Sequence, residues 1–155
     1  MIKRVLKKLL GRPLTTREPK PAMAVDNLYA YLDCLWQKRN DPGPVVEIGC
    51  ASGGTTVMAC RFLSRIGCHK AYYCIDTFSG FITSQLETDH RLGLTPEHDD
   101  KFSQNSLPQF KATLEKRRIH KNGHFVQGDI CTLSPDSLPN GISVCLLDVD
   151  LRDPI

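Results

Sequence analysis

The stretch Val45-Val46-Glu47-Ile48-Gly49-Cys50-Ala51-Ser52-Gly53-Gly54-Thr55-Thr56 decides the fold. A β-branched run ending in an acid, then a glycine-rich turn, then a helical pattern is how a parallel strand delivers its carboxyl end to a nucleotide-like ligand. Gly49 and Gly53 let the backbone come close to such a ligand, because a side chain at either would fill the space it needs. The spacing is Gly49-x-x-x-Gly53-Gly54 rather than G-x-G-x-x-G, and Glu47 stands two residues before the first glycine. Both features argue against a pyrophosphate. An ordinary strand-to-helix connection that contains some glycine is the competing reading.

A carboxylate beside the turn suits a cationic ligand, such as the sulfonium and ammonium groups of S-adenosylmethionine, and would repel the two phosphates of NAD. Ala71 to Asp76 reads as the next strand and ends in an acid twenty-three residues after Gly53. In a βαβ nucleotide fold that distance suits a ribose ligand, so Asp76 either accepts from both ribose hydroxyls or caps the strand end. Gly123 to Val126 reads as a short strand leading to Gly128-Asp129, where Asp129 either accepts from an adenine amino group or caps the following turn. The run Ile142 to Asp150 is the last strand, apolar enough for a central parallel strand covered on both faces. Alternation would put Asp148 and Asp150 on one side of it, about 7 Å apart, at the end where parallel sheets bind ligands. Such a pair binds a divalent cation, divides the duties of ligand and proton acceptor, or is merely a solvated strand end.

Around these strands the helices fall into place. Leu28, Tyr31, Leu32, Leu35 and Trp36 mark one face of a helix from about Met23 to Arg39, ended by Asn40-Asp41-Pro42-Gly43-Pro44. A second helix, from about Thr55 to Arg65, points its first free N–H groups at the glycine loop. Leu107 to Arg118 predicts a third. Between Thr77 and Gln104 the chain is polar and too long for a plain connection, so it is assigned to substrate access. His90 and His98 lie there as candidate general bases or as ordinary solvated histidines. Ile2, Val5, Leu6, Leu9 and Leu10 set against Lys3, Arg4, Lys7 and Lys8 predict a short basic amphipathic helix over residues 1–10. It would pack on protein, lie on an anionic membrane surface or serve as a leader. The proline-bearing residues 13–22 follow as a linker or surface arm, giving an N-terminal unit of 1–22 and a domain of 23–155.

With 155 residues, 41% of them hydrophobic and 24% charged, the chain can bury one core. Its seven cysteines never come closer than six apart, which excludes a C-x-x-C redox pair or zinc knuckle and points to reduced, mostly buried thiols in a cytoplasmic protein. No apolar run approaches the length of a membrane span. The first twenty residues hold seven Lys or Arg against Glu18, while the remainder holds thirteen bases against sixteen acids. A generally basic nucleic-acid binder is not indicated, and no nucleic-acid partner is expected.

Taken together, the acid with its glycine loop, Asp76 after the second strand, Gly128-Asp129 after the third and Asp148-x-Asp150 after the fourth resemble the class I S-adenosylmethionine-dependent methyltransferases. More narrowly, Glu47 to Gly54, Asp76-Thr77-Phe78-Ser79-Gly80-Phe81 and Asp148 to Ile155 look like the macrocin O-methyltransferase family, which methylates sugar hydroxyls. The resemblance implies an α/β fold, a Rossmann-like three-layer sandwich with a parallel sheet, of which about four of seven strands are present. It implies that Glu47, Gly49, Gly53 and Thr55 surround the methionine part of S-adenosylmethionine, Asp76 the ribose and Asp129 the adenine end. Asp148 would be a ligand of Mg2+, and Asp150 the base that takes a proton from a small-molecule hydroxyl substrate. Arg152 and Ile155 stand where the family has an aromatic residue and a threonine, and the Asp-Asp pair that completes its metal site has no counterpart before Ile155. The expectation is therefore a partial domain that is oligomeric or needs a second chain. A non-catalytic cofactor-binding module and an NAD-dependent oxidoreductase are the alternatives.

Overall fold

The computed structural model describes residues 19–96, 101–119 and 123–152. The basic helix expected over residues 1–10 and His98 lie outside the described residues. Along the chain run α1 (Val25–Gln37), β1 (Val45–Ile48), α2 (Gly54–Arg65), β2 (Tyr72–Asp76), α3 (Thr83–Arg91), α4 (Leu107–Lys116), β3 (Gly123–Gln127) and β4 (Val144–Leu147). The strands form one sheet in the order β3-β2-β1-β4, and every pairing is parallel.

Register fixes which side chains share a face. Glu47 pairs with Cys74 and Cys74 with Phe125, so these three point to the same side as Val45, Tyr72 and Val144. On that side lies the main core. Tyr31 and Leu35 of α1, Val57, Ala59 and Leu63 of α2, and Phe110 and Leu114 of α4 pack with these strand residues. The apolar spacing on α1 is what presents Tyr31 and Leu35, while Trp36, expected on the same face, stays 46% exposed with Arg39 stacked over its ring. In α4 the Ser106 hydroxyl accepts from the Gln109 N–H and Pro108 sits in the first turn, so start signals and buried face agree. Phe110 stands between Phe78 and Phe125, at ring-centroid distances of 4.9 and 5.9 Å.

Three expectations change. The polar stretch after Asp76 contains a regular helix, α3, whose inward residues are Gln85 and Asp89. They are buried by hydrogen bonding rather than by an apolar stripe, so hydrophobic periodicity passes over them. The last strand stops at Leu147 rather than running on to Asp150; among the described residues β4 pairs only with β1, the edge position expected of a sheet of about four strands. There Cys145 is exposed and Leu147 is 48% exposed, contrary to a strand covered on both faces. Finally, Cys34, Cys131 and Cys145 are exposed and only Cys50 and Cys74 are fully buried, although all seven are free thiols. Among the described residues no helix is long and apolar enough to cross a membrane.

Candidate functional site

The carboxyl ends of the four strands open into a cavity of about 300 Å³. Every strand contributes to its wall: Ile48 and Gly49 at β1, Asp76 and Thr77 at β2, Gly128 and Asp129 beyond β3, Asp148 and Asp150 beyond β4. Parallel strands present their carboxyl ends on one side of a sheet, so acids at those ends converge by topology alone.

Asp76 ties two of these ends together. Its Oδ2 accepts from the N–H groups of Cys50 and Ala51, at 2.6 and 3.0 Å, and its Oδ1 from the Phe78 N–H at 2.6 Å. Ala51 (φ 45°) and Phe78 (φ 52°) lie in left-handed backbone that non-glycine residues seldom adopt, and the Asp76 carboxylate holds both. It therefore both shapes the turn and faces the cavity. Asp129 accepts from the Gln85 side-chain amide and from the Cys131 N–H, both at 3.0 Å. This joins α3 to the end of β3.

Asp148 follows directly on β4, its N–H donating to the Ile48 carbonyl at 2.9 Å. Its carboxyl is held above the usual carboxylate range, first because partial burial removes water from the charged form and then because Asp150 adds like charge. The two acids lie in the loop after the strand rather than on the strand itself, so the alternation argument does not apply to them.

The glycines serve the protein's own packing as much as any ligand. Gly49 (φ 86°) could carry no side chain, since a Cβ there would lie 2.1 Å from the Asp148 carbonyl oxygen. At Gly54 a Cβ would lie 2.1 Å from the Lys20 carbonyl oxygen, because the arm at residues 19–22 crosses the first turn of α2. Gly53 does not line the cavity; a Cβ on it would meet the Phe110 ring at 3.0 Å. The sequence argument credited Gly49 and Gly53 to ligand space, whereas the neighbouring backbone and an aromatic ring are what exclude a side chain there.

Glu47 also departs from expectation. Its side chain has no exposed surface and does not line the cavity. The register turns it into the core beneath α2, where its Oε2 accepts from Thr56 at 2.8 Å and from the Tyr72 hydroxyl at 2.6 Å. Tyr72 in turn shares a hydrogen bond of 2.8 Å with Tyr31. Burial pushes the Glu47 carboxyl up to about 7, with the charges of Asp148 and Asp76 adding to the rise and the Tyr72 and Thr56 hydrogen bonds opposing it. An acid so placed does not touch a cationic ligand in the cavity. Of the residues singled out beforehand, Gly49, Thr55, Asp76, Asp129, Asp148 and Asp150 share the cavity, and Glu47 and Gly53 stand behind its wall. His90 is exposed, with Nδ1 3.3 Å from the Thr95 carbonyl oxygen, and takes no part in the cavity.

Several cavity residues gave no sequence signal. Lys20 comes from the arm, Gln85 from the unrecognised helix, and Lys101 and Phe102 from the chain after it. Two of these are cations, brought to an otherwise acidic wall by chain segments far from the strand ends. Only Gln85 was open to detection, through the Ile82, Gln85, Leu86, Asp89 spacing that makes one helix face.

No protein-family model matches this sequence, and no curated protein matches it. Among solved structures the chain is similar to the O-methyltransferase NovP, with a TM-score of 0.50 at 15% identity, over 69% of this chain and 45% of that one. The fold is the Rossmann-like methyltransferase fold: a four-stranded, all-parallel sheet flanked by helices. The likeness is one of fold, not of the macrocin family in particular, and this chain spans under half the length of NovP.

Proposed function

We propose that the cavity at the strand ends binds S-adenosylmethionine and that the chain acts as an O-methyltransferase, or as its cofactor-binding part, on the hydroxyl of a small sugar-like molecule. One observation carries this reading: Asp76, Asp129, Asp148, Asp150 and the glycine loop line a single hollow. The donor set fits the cofactor. The carboxylate of Asp76 lines the cavity where it could accept from ribose hydroxyls, Asp129 can accept from an amino group, and the backbone at Gly49 and Thr55 borders the same space. The cofactor supplies an electrophilic methyl group when bound.

The chain's own residues do the rest. A hydroxyl is a weak nucleophile at neutral pH, and Asp150, exposed at the cavity edge, would take its proton. Asp148 and Asp150 offer the hard oxygen donors that Mg2+ prefers, and a cation held there would make the hydroxyl oxygen more negative. The raised proton affinity of Asp148 means that a cation competes with a proton for it. Phe81, Ile82 and Phe102 provide an apolar wall that limits water around the reacting oxygen.

Isothermal titration with S-adenosylmethionine, with and without Mg2+, tests the binding step, and methyl transfer to a panel of sugars tests the chemistry. Micromolar binding together with transfer supports the whole reading. Binding without transfer supports the cofactor-binding module. Binding of NAD in place of S-adenosylhomocysteine would overturn both.

A further inference from the structure

Behind the glycine loop, beside the first turn of α2, Glu47, Cys50 and Cys74 come together. One carboxylate oxygen and the two sulfurs all lie within 4.8 Å of one another, and all three residues are buried. We propose that these three residues form a binding site for a zinc-like divalent cation, separate from the acid pair at the end of β4.

The argument begins with the donors. Around a tetrahedral ion, bond lengths of about 2.3 Å to sulfur and about 2.0 Å to oxygen place neighbouring donors under about 4 Å apart, close to the spacing already present. Two sulfurs and one carboxylate suit zinc or cadmium and disfavour Mg2+, which requires hard oxygens. Three protein donors leave the fourth corner for an exogenous ligand.

A second, independent observation points the same way. Thr56 and Tyr72 both donate to Glu47 Oε2, and Oε1 of this fully buried carboxyl has no hydrogen-bond partner. An unpaired buried oxygen is costly, and a cation beside it would remove that cost. The line Tyr31, Tyr72, Glu47, Thr56 supplies the outer hydrogen bonds that orient a metal-binding carboxylate.

Burial raises the Cys50, Cys74 and Glu47 proton affinities together. Binding one dication then releases up to three protons, two from the thiols and one from Glu47, and strengthens with pH. The ion would also be felt in the cavity. Cys50 lines that wall, and its N–H donates to Asp76 at 2.6 Å.

The test uses the full chain, reduced and freed of metal by a chelator. Cadmium titration, followed by thiolate-to-cadmium charge-transfer absorption, is expected to saturate at one ion per chain with the intensity of two thiolates, and zinc should displace the cadmium. Cys50→Ser and Cys74→Ser should each weaken binding by at least about ten-fold. Cys145→Ser, which alters an exposed thiol, should leave it unchanged. Cadmium-113 resonance on the unaltered chain reads the donor set directly, so the outcome does not depend on any variant folding. A two-sulfur shift supports the site. No saturable band, a band that survives in both serine variants, or a band lost with Cys145→Ser overturns it.

Discussion

Replacing Glu47 by glutamine isolates the energetics of the buried carboxyl. Glu47 has no exposed surface, and its carboxyl is raised from 4.5 to about 7, chiefly by burial. The folded chain therefore holds this proton more tightly than the unfolded chain. Between these two values the native state binds more protons, so stability falls as pH rises through the window and levels off above it. A rise of that size corresponds to about 3 kcal/mol, most of it lying between pH 5 and pH 8. Glu47→Gln keeps an acceptor for Thr56 and Tyr72 but cannot ionise. Titrating groups remote from Glu47 cancel in the difference between the two proteins, so the variant should gain about 2–3 kcal/mol relative to the natural chain between pH 5 and pH 8. Urea unfolding followed by circular dichroism, with a chelator and a reductant present, measures that difference at each pH. A difference that stays flat from pH 5 to pH 8, or slopes the other way, would show that Glu47 is ionised in the fold at ordinary carboxylate pH and refute the burial argument.

Other outcomes follow from the same geometry. Asp76→Ala should weaken S-adenosylmethionine binding by about 1–3 kcal/mol in calorimetry through lost ribose hydrogen bonds, and unchanged affinity would remove Asp76 from the site. Gly54→Ala puts a methyl group 2.1 Å from the Lys20 carbonyl oxygen, so hydrogen exchange over residues 20–24 should speed up; unaltered exchange would mean that the arm does not rest there. Phe110→Ala removes the ring between Phe78 and Phe125 and should lower stability by about 3–5 kcal/mol in urea unfolding. Asp150→Asn takes away the like charge that raises the Asp148 carboxyl, so the Asp148 carboxyl-carbon titration should move to lower pH. No movement would place the cause in burial alone.

The order of acids and glycines along the chain determined a great deal by itself. Val45 to Thr56 dictates strand, turn and helix because β-branched residues, glycines and a following apolar period each favour one local conformation, and parallel topology then carries Asp76, Asp129, Asp148 and Asp150 to one end. Other assignments waited on three dimensions. Whether Glu47 faces a ligand or the core is a matter of strand register, which pairs it with Cys74 and sets it under Thr56. The absence of side chains at Gly53 and Gly54 answers to Phe110 and to the Lys20 backbone, partners far away in sequence. Gln85 and Asp89 are buried through bonds to Asp129 and to the Arg152 N–H, so no local apolar pattern marks their helix. Local preference is written in neighbouring residues, whereas which groups meet across the sheet depends on packing between distant segments, and there only the tertiary structure decides.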